Sequence, residues 1–118
     1  MSRHLWLILL VSSAVGRAQP AITSILNSAS SNAMISPGCW VSIYGTNLSS
    51  AIAQASSVPL PNSLAGSSVT VGGKPAPLNY VSPSQINAMI PYEVPAIGMQ
   101  RVDVIVNSGQ TVSNSFPI

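Results

Sequence analysis

Apolar and polar positions alternate along most of the chain, and this pattern predicts short β-strands. In residues 101–107, Val102, Val104 and Val106 fall on one side of an extended backbone, the period of a strand with one buried face. The other predicted strands are residues 22–26, 39–45, 67–71, 75–81, 86–90 and 111–118. About seven short strands separated by turn residues, without a convincing helical repeat, predict an all-β sandwich of two sheets.

The centre of this pattern is residues 80–93, where two short apolar stretches lie among prolines 77, 83, 91 and 95. Each proline lacks an N–H and fixes φ, so no helix continues through the segment and each strand ends beside a proline or reaches an edge. We therefore expect this segment to form two short strands joined by a corner. Alternation also assigns faces: it pairs Val41 with Ile43, Val69 with Val71, Leu78 with Tyr80, and Val112 with Phe116 and Ile118.

Residues 1–18 have the layout of a secretory signal peptide. Arg3 and His4 precede the apolar run 5–11, and Gly16-Arg17-Ala18 is a small-x-small cleavage site. The apolar run is short for a membrane span, although an uncleaved anchor is the competing interpretation. We predict a mature domain of residues 19–118 that is secreted, periplasmic or at the cell surface, with no membrane span after cleavage.

Cleavage would remove the excess positive charge. Lys74 and Arg101 then balance Glu93 and Asp103, so the sequence does not favour a nucleic-acid partner. With no histidine after residue 18 and only two carboxylates, we predict that the protein is not an enzyme and has no cofactor. A calcium site at Glu93 and Asp103 is conceivable, but isolated surface charges are the preferred interpretation.

Two further groups leave alternatives open. Cys39, the only cysteine, is either a small buried thiol or the site of a disulfide between two chains. Four aromatic residues either pack on a sheet or form a stacking platform for sugar rings: Trp40, Tyr44, Tyr80 and Tyr92. The candidate ligand or partner contacts are Trp40, Tyr44 and Tyr92, and the sequence predicts no catalytic or metal-binding residue.

Three blocks carry a family resemblance. Residues 37–48 (PGCWVSIYGTNL) resemble the opening of an immunoglobulin-like IPT/TIG domain. Together with residues 60–71 (LPNSLAGSSVTV) and the long block from residue 76 to residue 94, they resemble the C-terminal domain family of secreted proteins from acidobacteria such as Solibacter. The resemblance covers nearly all of residues 19–118. It implies an immunoglobulin-like sandwich in an exported protein and carries over no catalytic residue.

Two departures from that family bear on function. Cys39-Trp40 places a thiol and a large ring where relatives tend to have smaller or plainer residues, and the chain stops at Phe116-Pro117-Ile118, where relatives usually continue into a second lobe. The chain is thus either a minimal version of the domain or the first lobe of a longer one. In both cases we expect an uncovered strand edge that favours association.

These observations lead to two hypotheses of different kinds. The first is a non-catalytic, secreted or cell-surface module for protein–protein interaction or structural assembly, with a second copy or another extracellular chain as the partner. The alternative is a carbohydrate-binding module that uses exposed aromatic side chains.

Overall fold

The computed structural model describes residues 18–94 and 100–118, so the predicted signal peptide lies outside the described residues except for Ala18. Both ranges consist of strands, turns and loops, and neither contains a helix long and apolar enough to cross a membrane. The strands are β1 (Ala21–Asn27), β2 (Trp40–Thr46), β3 (Ala53–Gln54), β4 (Ser67–Val71), β5 (Lys74–Pro75), β6 (Leu78–Val81), β7 (Gln85–Met89), β8 (Asp103–Ser108), β9 (Thr111–Val112) and β10 (Phe116–Pro117).

The strands form two antiparallel sheets, as the sequence predicts. Sheet 1 has the order β1-β2-β7-β6-β3, and sheet 2 has the order β10-β8-β4-β5, with β9 also pairing with β8. The predicted strand 75–81 is wrong as a single element, because the chain leaves sheet 2 after β5 and enters sheet 1 at β6. Ala76 still donates its N–H to the Val69 carbonyl at 2.9 Å, whereas Pro77 has no N–H to donate and marks the change of sheet.

The inner faces of the two sheets form one hydrophobic core. Its members fall at alternate positions in most strands, which confirms the predicted inward faces of β2, β4, β7 and β8. The side chains in the core are Ile22, Ile25, Val41, Ile43, Leu48, Val69, Val71, Ala76, Leu78, Val81, Ile86, Ala88, Ile90, Val94, Val102, Val104 and Val106.

A β-bulge changes the predicted face of Tyr80. Leu78 lies opposite Ala88 and Tyr80 lies opposite Asn87, so Asn79 is an extra residue in β6. A bulge places two residues of one strand against one residue of its partner. As a result Leu78 is buried while Tyr80 is only half-buried on the outer face. The prediction that Leu78 and Tyr80 share a face is therefore wrong.

The C-terminal segment also departs from a regular strand. Residues 111–118 form β9 and β10 with an interruption between them, rather than one continuous element. Val112 is 46% exposed, whereas Phe116 and Ile118 are partly buried against the core. The shared face predicted for these three residues is thus wrong for Val112, because the interruption breaks the two-residue period.

Candidate interaction surface

The outer face of sheet 1 collects three of the four aromatic residues singled out from the sequence. On β2, Trp40 and Tyr44 point away from the buried Val41 and Ile43, and the bulge in β6 turns Tyr80 to the same side. We call this surface the aromatic face. It consists of Trp40, Ser42, Tyr44, Asn79, Tyr80, Gln85, Asn87 and Met89.

Strand register determines how these side chains are arranged. Trp40 is opposite Met89, Ser42 is opposite Asn87, and Tyr44 is opposite Gln85. Because neighbouring strands lie about 4.8 Å apart, Tyr80 on β6 is about 10 Å from β2, on the far side of β7. The aromatic face therefore has rings on both flanks and a central row of amide side chains between them.

A shallow cleft of about 240 Å³ lies beside the Trp40 ring and is lined by Ser28, Trp40, Asn79 and Asn87. The polar groups around it are held in place. The hydroxyls of Ser28 and Ser42 are hydrogen-bonded at 2.9 Å, and Gln85 Nε2 donates to Asn87 Oδ1 at 2.9 Å. The bulge contributes directly to this cleft, because Asn79 is the extra residue of β6.

The two other predicted contact residues are placed differently from each other. Tyr44 is 36% exposed and lies on the aromatic face. Tyr92 is 73% exposed, follows β7 in a turn, and its ring covers Gly38 at the Pro37-Gly38 turn. A Cβ at Gly38 would lie 2.5 Å from Cε1 of Tyr92. The structure thus brings Trp40 and Tyr44 onto one surface and places Tyr92 at the end of the sandwich.

Cys39 lies just before β2 and is a free, half-buried thiol packed against the core. Its Sγ accepts a hydrogen bond from the Ser36 N–H at 3.4 Å, and its carbonyl accepts one from Ile90 at 2.9 Å. This position agrees with a small packing residue. The alternative of a disulfide between two chains remains a prediction.

The charged residues of the described ranges gather at the outer side of sheet 2. Glu93, Arg101 and Asp103 line a cleft of about 490 Å³ together with Gly72 and Gly73, and exposed Lys74 follows this glycine pair. Both glycines have positive φ, 58° and 80°, which glycine adopts without a Cβ clash. Lys74 therefore follows a tight hairpin turn.

Among residues 18–94 and 100–118, no group of three or more His, Cys, Asp or Glu side chains is placed to hold a metal ion. Glu93 and Asp103 line one cleft. Glu93, Asp103 and Arg101 together carry a formal net charge of −1, and all three side chains are exposed. Such a solvated cluster contributes little to stability.

Most sheet edges are short or contain proline. β3, β5 and β10 each have two residues, and β5 and β10 both include a proline, which lacks the N–H that a neighbouring strand requires. β1 is the one long edge strand of sheet 1, with seven residues. The uncovered edge expected from the sequence is therefore restricted to β1 as far as the described strands are concerned.

Two antiparallel sheets around a single core, with distinct aromatic and charged outer surfaces, place the protein in the class of immunoglobulin-like β-sandwich modules. The family model of the IPT/TIG domain matches residues 20–117, and the chain belongs to this family. Neither a curated protein nor a solved structure matches the chain significantly. The resemblance to IPT/TIG domains is confirmed, while the acidobacterial subgroup stays a prediction.

Membership in the IPT/TIG family indicates the general kind of function. TIG domains are immunoglobulin-like modules that are typically non-catalytic and commonly take part in protein–protein interaction. The sequence signals for the fold were strong. Two features of the surface were not predictable from the sequence: the outward orientation of Tyr80 and the contribution of Asn79 to the cleft beside Trp40. Both depend on a β-bulge that no local sequence pattern marks.

Proposed function

We propose that this protein is a non-catalytic interaction module of an exported protein, and that it binds a protein partner through the aromatic face. The observation that carries the proposal is the gathering of Trp40, Tyr44 and Tyr80 on one uncharged sheet surface. Trp and Tyr are enriched at the energetic centres of protein interfaces, and charged residues are depleted there. The family's common use in protein–protein interaction supports the same conclusion.

The size of the aromatic face sets the expected strength of binding. Three strands, each about 4.8 Å wide, and five residues of about 3.3 Å along each strand give a flat area of roughly 240 Å². A standard interface buries about 800 Å² on each partner. The aromatic face by itself therefore fits a weak, transient contact, and we expect a tighter complex only where neighbouring loops also take part.

Export is part of the proposal and rests on the sequence. The basic start, apolar run and small-x-small site of residues 1–18 support a signal peptide. The test is N-terminal sequencing of the protein recovered from its native compartment. A mature terminus at Gln19 supports export, and recovery of the chain with Met1 retained contradicts cleavage.

A carbohydrate ligand is the second candidate, and the Trp40 cleft is the observation that favours it. An aromatic ring beside Ser28, Asn79 and Asn87 provides a stacking surface and hydrogen-bonding groups for a sugar. However, its volume of about 240 Å³ is below the range of about 300–1,000 Å³ typical of small-molecule sites. At most one sugar ring fits, so a protein partner is preferred.

One experiment separates the two candidates. The domain of residues 19–118 is immobilised and exposed to an extracellular protein extract and, separately, to a glycan array. The variants are Trp40→Ala, Tyr80→Ala and, as a matched control on the outer face of sheet 2, Ile105→Ala. The proposal is supported if Trp40→Ala and Tyr80→Ala lose protein capture and Ile105→Ala retains it. Glycan binding lost in the same variants supports the alternative, and equal capture by all three contradicts both.

A further inference from the structure

The long edge strand β1 has its backbone groups covered at both ends. In an antiparallel strand, successive residues direct their N–H and C=O groups alternately toward the partner and away from it. Ser28 donates to the Trp40 carbonyl at 2.9 Å, so Ser24 and Leu26 also face β2, opposite Tyr44 and Ser42. Among the residues of β1 that are paired in register, three direct their backbone groups to the outside of the sheet: Ile22, Ile25 and Asn27. Thr23 is the extra residue at the register shift between Ile22 and Ser24.

The C-terminal end of β1 is covered by the turn that follows it. Asn27 donates its N–H to the Asn32 carbonyl at 2.7 Å, and its own carbonyl accepts from the Ser31 N–H at 2.8 Å. The Asn27 side chain joins the same turn by accepting from the Ala29 N–H at 2.9 Å. A neighbouring strand cannot pair with Asn27 without displacing these bonds.

The N-terminal end of β1 is covered by one side chain from the segment between β9 and β10. Asn114 Oδ1 accepts from the Ile22 N–H at 2.9 Å, and Asn114 Nδ2 donates to the Ile22 carbonyl at 3.3 Å. The side-chain amide thus makes the same donor and acceptor pair that a residue of an adjacent strand would make. We call this pair of bonds the Asn114 clasp.

The interruption between β9 and β10 is what positions Asn114. Ser113 remains bound to β8, since its N–H donates to the Val106 carbonyl at 2.8 Å and its Oγ accepts from the Val106 N–H at 2.9 Å. The next residue leaves the ladder and reaches across to β1. Gln19 Nε2 donates to the Val112 carbonyl at 3.4 Å, so a second side chain joins the same two segments.

We infer that the Asn114 clasp prevents β1 from pairing with the β1 strand of a second copy, and that it thereby keeps the module monomeric. With Ile22 and Asn27 covered, Ile25 is the single in-register residue of β1 whose outward backbone groups lie between two blocked positions. One residue is too short a ladder for strand addition. Opening the Ile22 position frees the outward backbone groups of Ile22 as well as those of Ile25, on either side of the register shift at Thr23, for an antiparallel partner.

The test compares Asn114→Ala with Asn62→Ala, a matched substitution of another exposed asparagine in the loop before β4. Self-association of the full 19–118 domain is measured by light scattering between low and high micromolar concentration. We expect the control to behave as the unsubstituted monomer. For Asn114→Ala we expect self-association to be tighter by about tenfold or more, because two hydrogen bonds that exclude a partner strand are lost.

Hydrogen exchange locates the new contact. In the Asn114→Ala dimer, we expect the Ile25 amide to gain protection with increasing concentration, since it then bonds to the partner strand. Association without protection at Ile25 contradicts the inference, and so does a folded Asn114→Ala variant that stays monomeric throughout the concentration range.

A second variant keeps the inference testable if Asn114→Ala does not fold. In Asn114→Asp, the carboxylate still accepts from the Ile22 N–H but has nothing to donate to the Ile22 carbonyl. We expect dimerisation at neutral pH that weakens on acidification through the introduced carboxyl's pKa, near its ordinary value of about 4, because the protonated form regains the donor. Dimerisation that is independent of pH in this range contradicts the clasp.

Discussion

The outer faces of the two sheets differ although their inner faces are alike. Both sheets present alternating Val, Ile and Leu to one core. On the outside, sheet 1 presents Trp40, Tyr44 and Tyr80 around amide side chains, whereas sheet 2 presents small polar and β-branched residues and, at one end, the charged cleft. The core uses the inner faces, and the difference between the outer faces is the basis for proposing sheet 1 as the side that recognises a partner.

The largest expected effect comes from removing core support beneath the aromatic face. Ile86 is fully buried between outward-facing Gln85 and Asn87. We expect Ile86→Ala to lower the free energy of unfolding by about 2–5 kcal/mol, because it leaves a cavity in a closely packed core. Urea denaturation measures the change. A loss below about 1 kcal/mol would show that the core is not packed as described.

The next effect concerns binding rather than folding. We expect Trp40→Ala to weaken partner binding by about 2 kcal/mol, roughly thirtyfold, as for a central aromatic residue of an interface. Ile105→Ala on sheet 2 should leave binding unchanged. Titration with the captured partner measures both, and circular dichroism checks that each variant is folded. An equal loss in the two variants would remove the functional distinction between the faces.

A smaller effect tests whether Tyr92 has a packing role apart from the aromatic face. Gly38 has φ of 83°, and an added Cβ would meet the Tyr92 ring. We expect Gly38→Ala to destabilise the fold by about 1–2 kcal/mol through backbone strain and this collision. The cost should fall in a Tyr92→Ala background, which removes the collision only. A double-mutant cycle by thermal unfolding measures the coupling, and zero coupling would contradict the contact.

The smallest expected effect is that of salt. The four charges of the described ranges lie at the sheet 2 side, and those of Glu93, Arg101 and Asp103 are exposed. Raising ionic strength from 0.1 M to 1 M should therefore change stability by less than about 0.5 kcal/mol. Partner binding to the aromatic face should be similarly insensitive. A strong salt dependence of binding would indicate that the partner binds instead at the cleft lined by Glu93, Arg101 and Asp103.

Some strands and faces were predictable because their cause is local. Val102, Val104 and Val106 occupy one side of β8 in any extended conformation, and Gly72-Gly73 readily adopts the positive φ of a hairpin turn. Trp40 and Tyr44 lie opposite to Val41 and Ile43 for the same reason. The side of the strand is predictable for these two residues because both lie within one regular strand.

The placements that the sequence did not give depend on a neighbour distant in sequence. The face of Tyr80 follows from the register of β6 against β7, where Asn79 is accommodated as a bulge. The placement of Tyr92 follows from contact with Gly38, more than fifty residues earlier. Neither has a local signature, because a one-residue shift in register moves a side chain to the opposite face without altering the composition of the segment.

The amino-acid sequence by itself determined the all-β class, the turns, most inward-facing residues and the family, since each follows from local alternation or from a contiguous motif. The tertiary structure alone decided which sheet each strand joins, that Tyr80 completes the aromatic face, and that Asn114 covers Ile22. The physical reason is that these features are hydrogen-bond and packing choices between distant segments, whose partners exist only once the two sheets have come together.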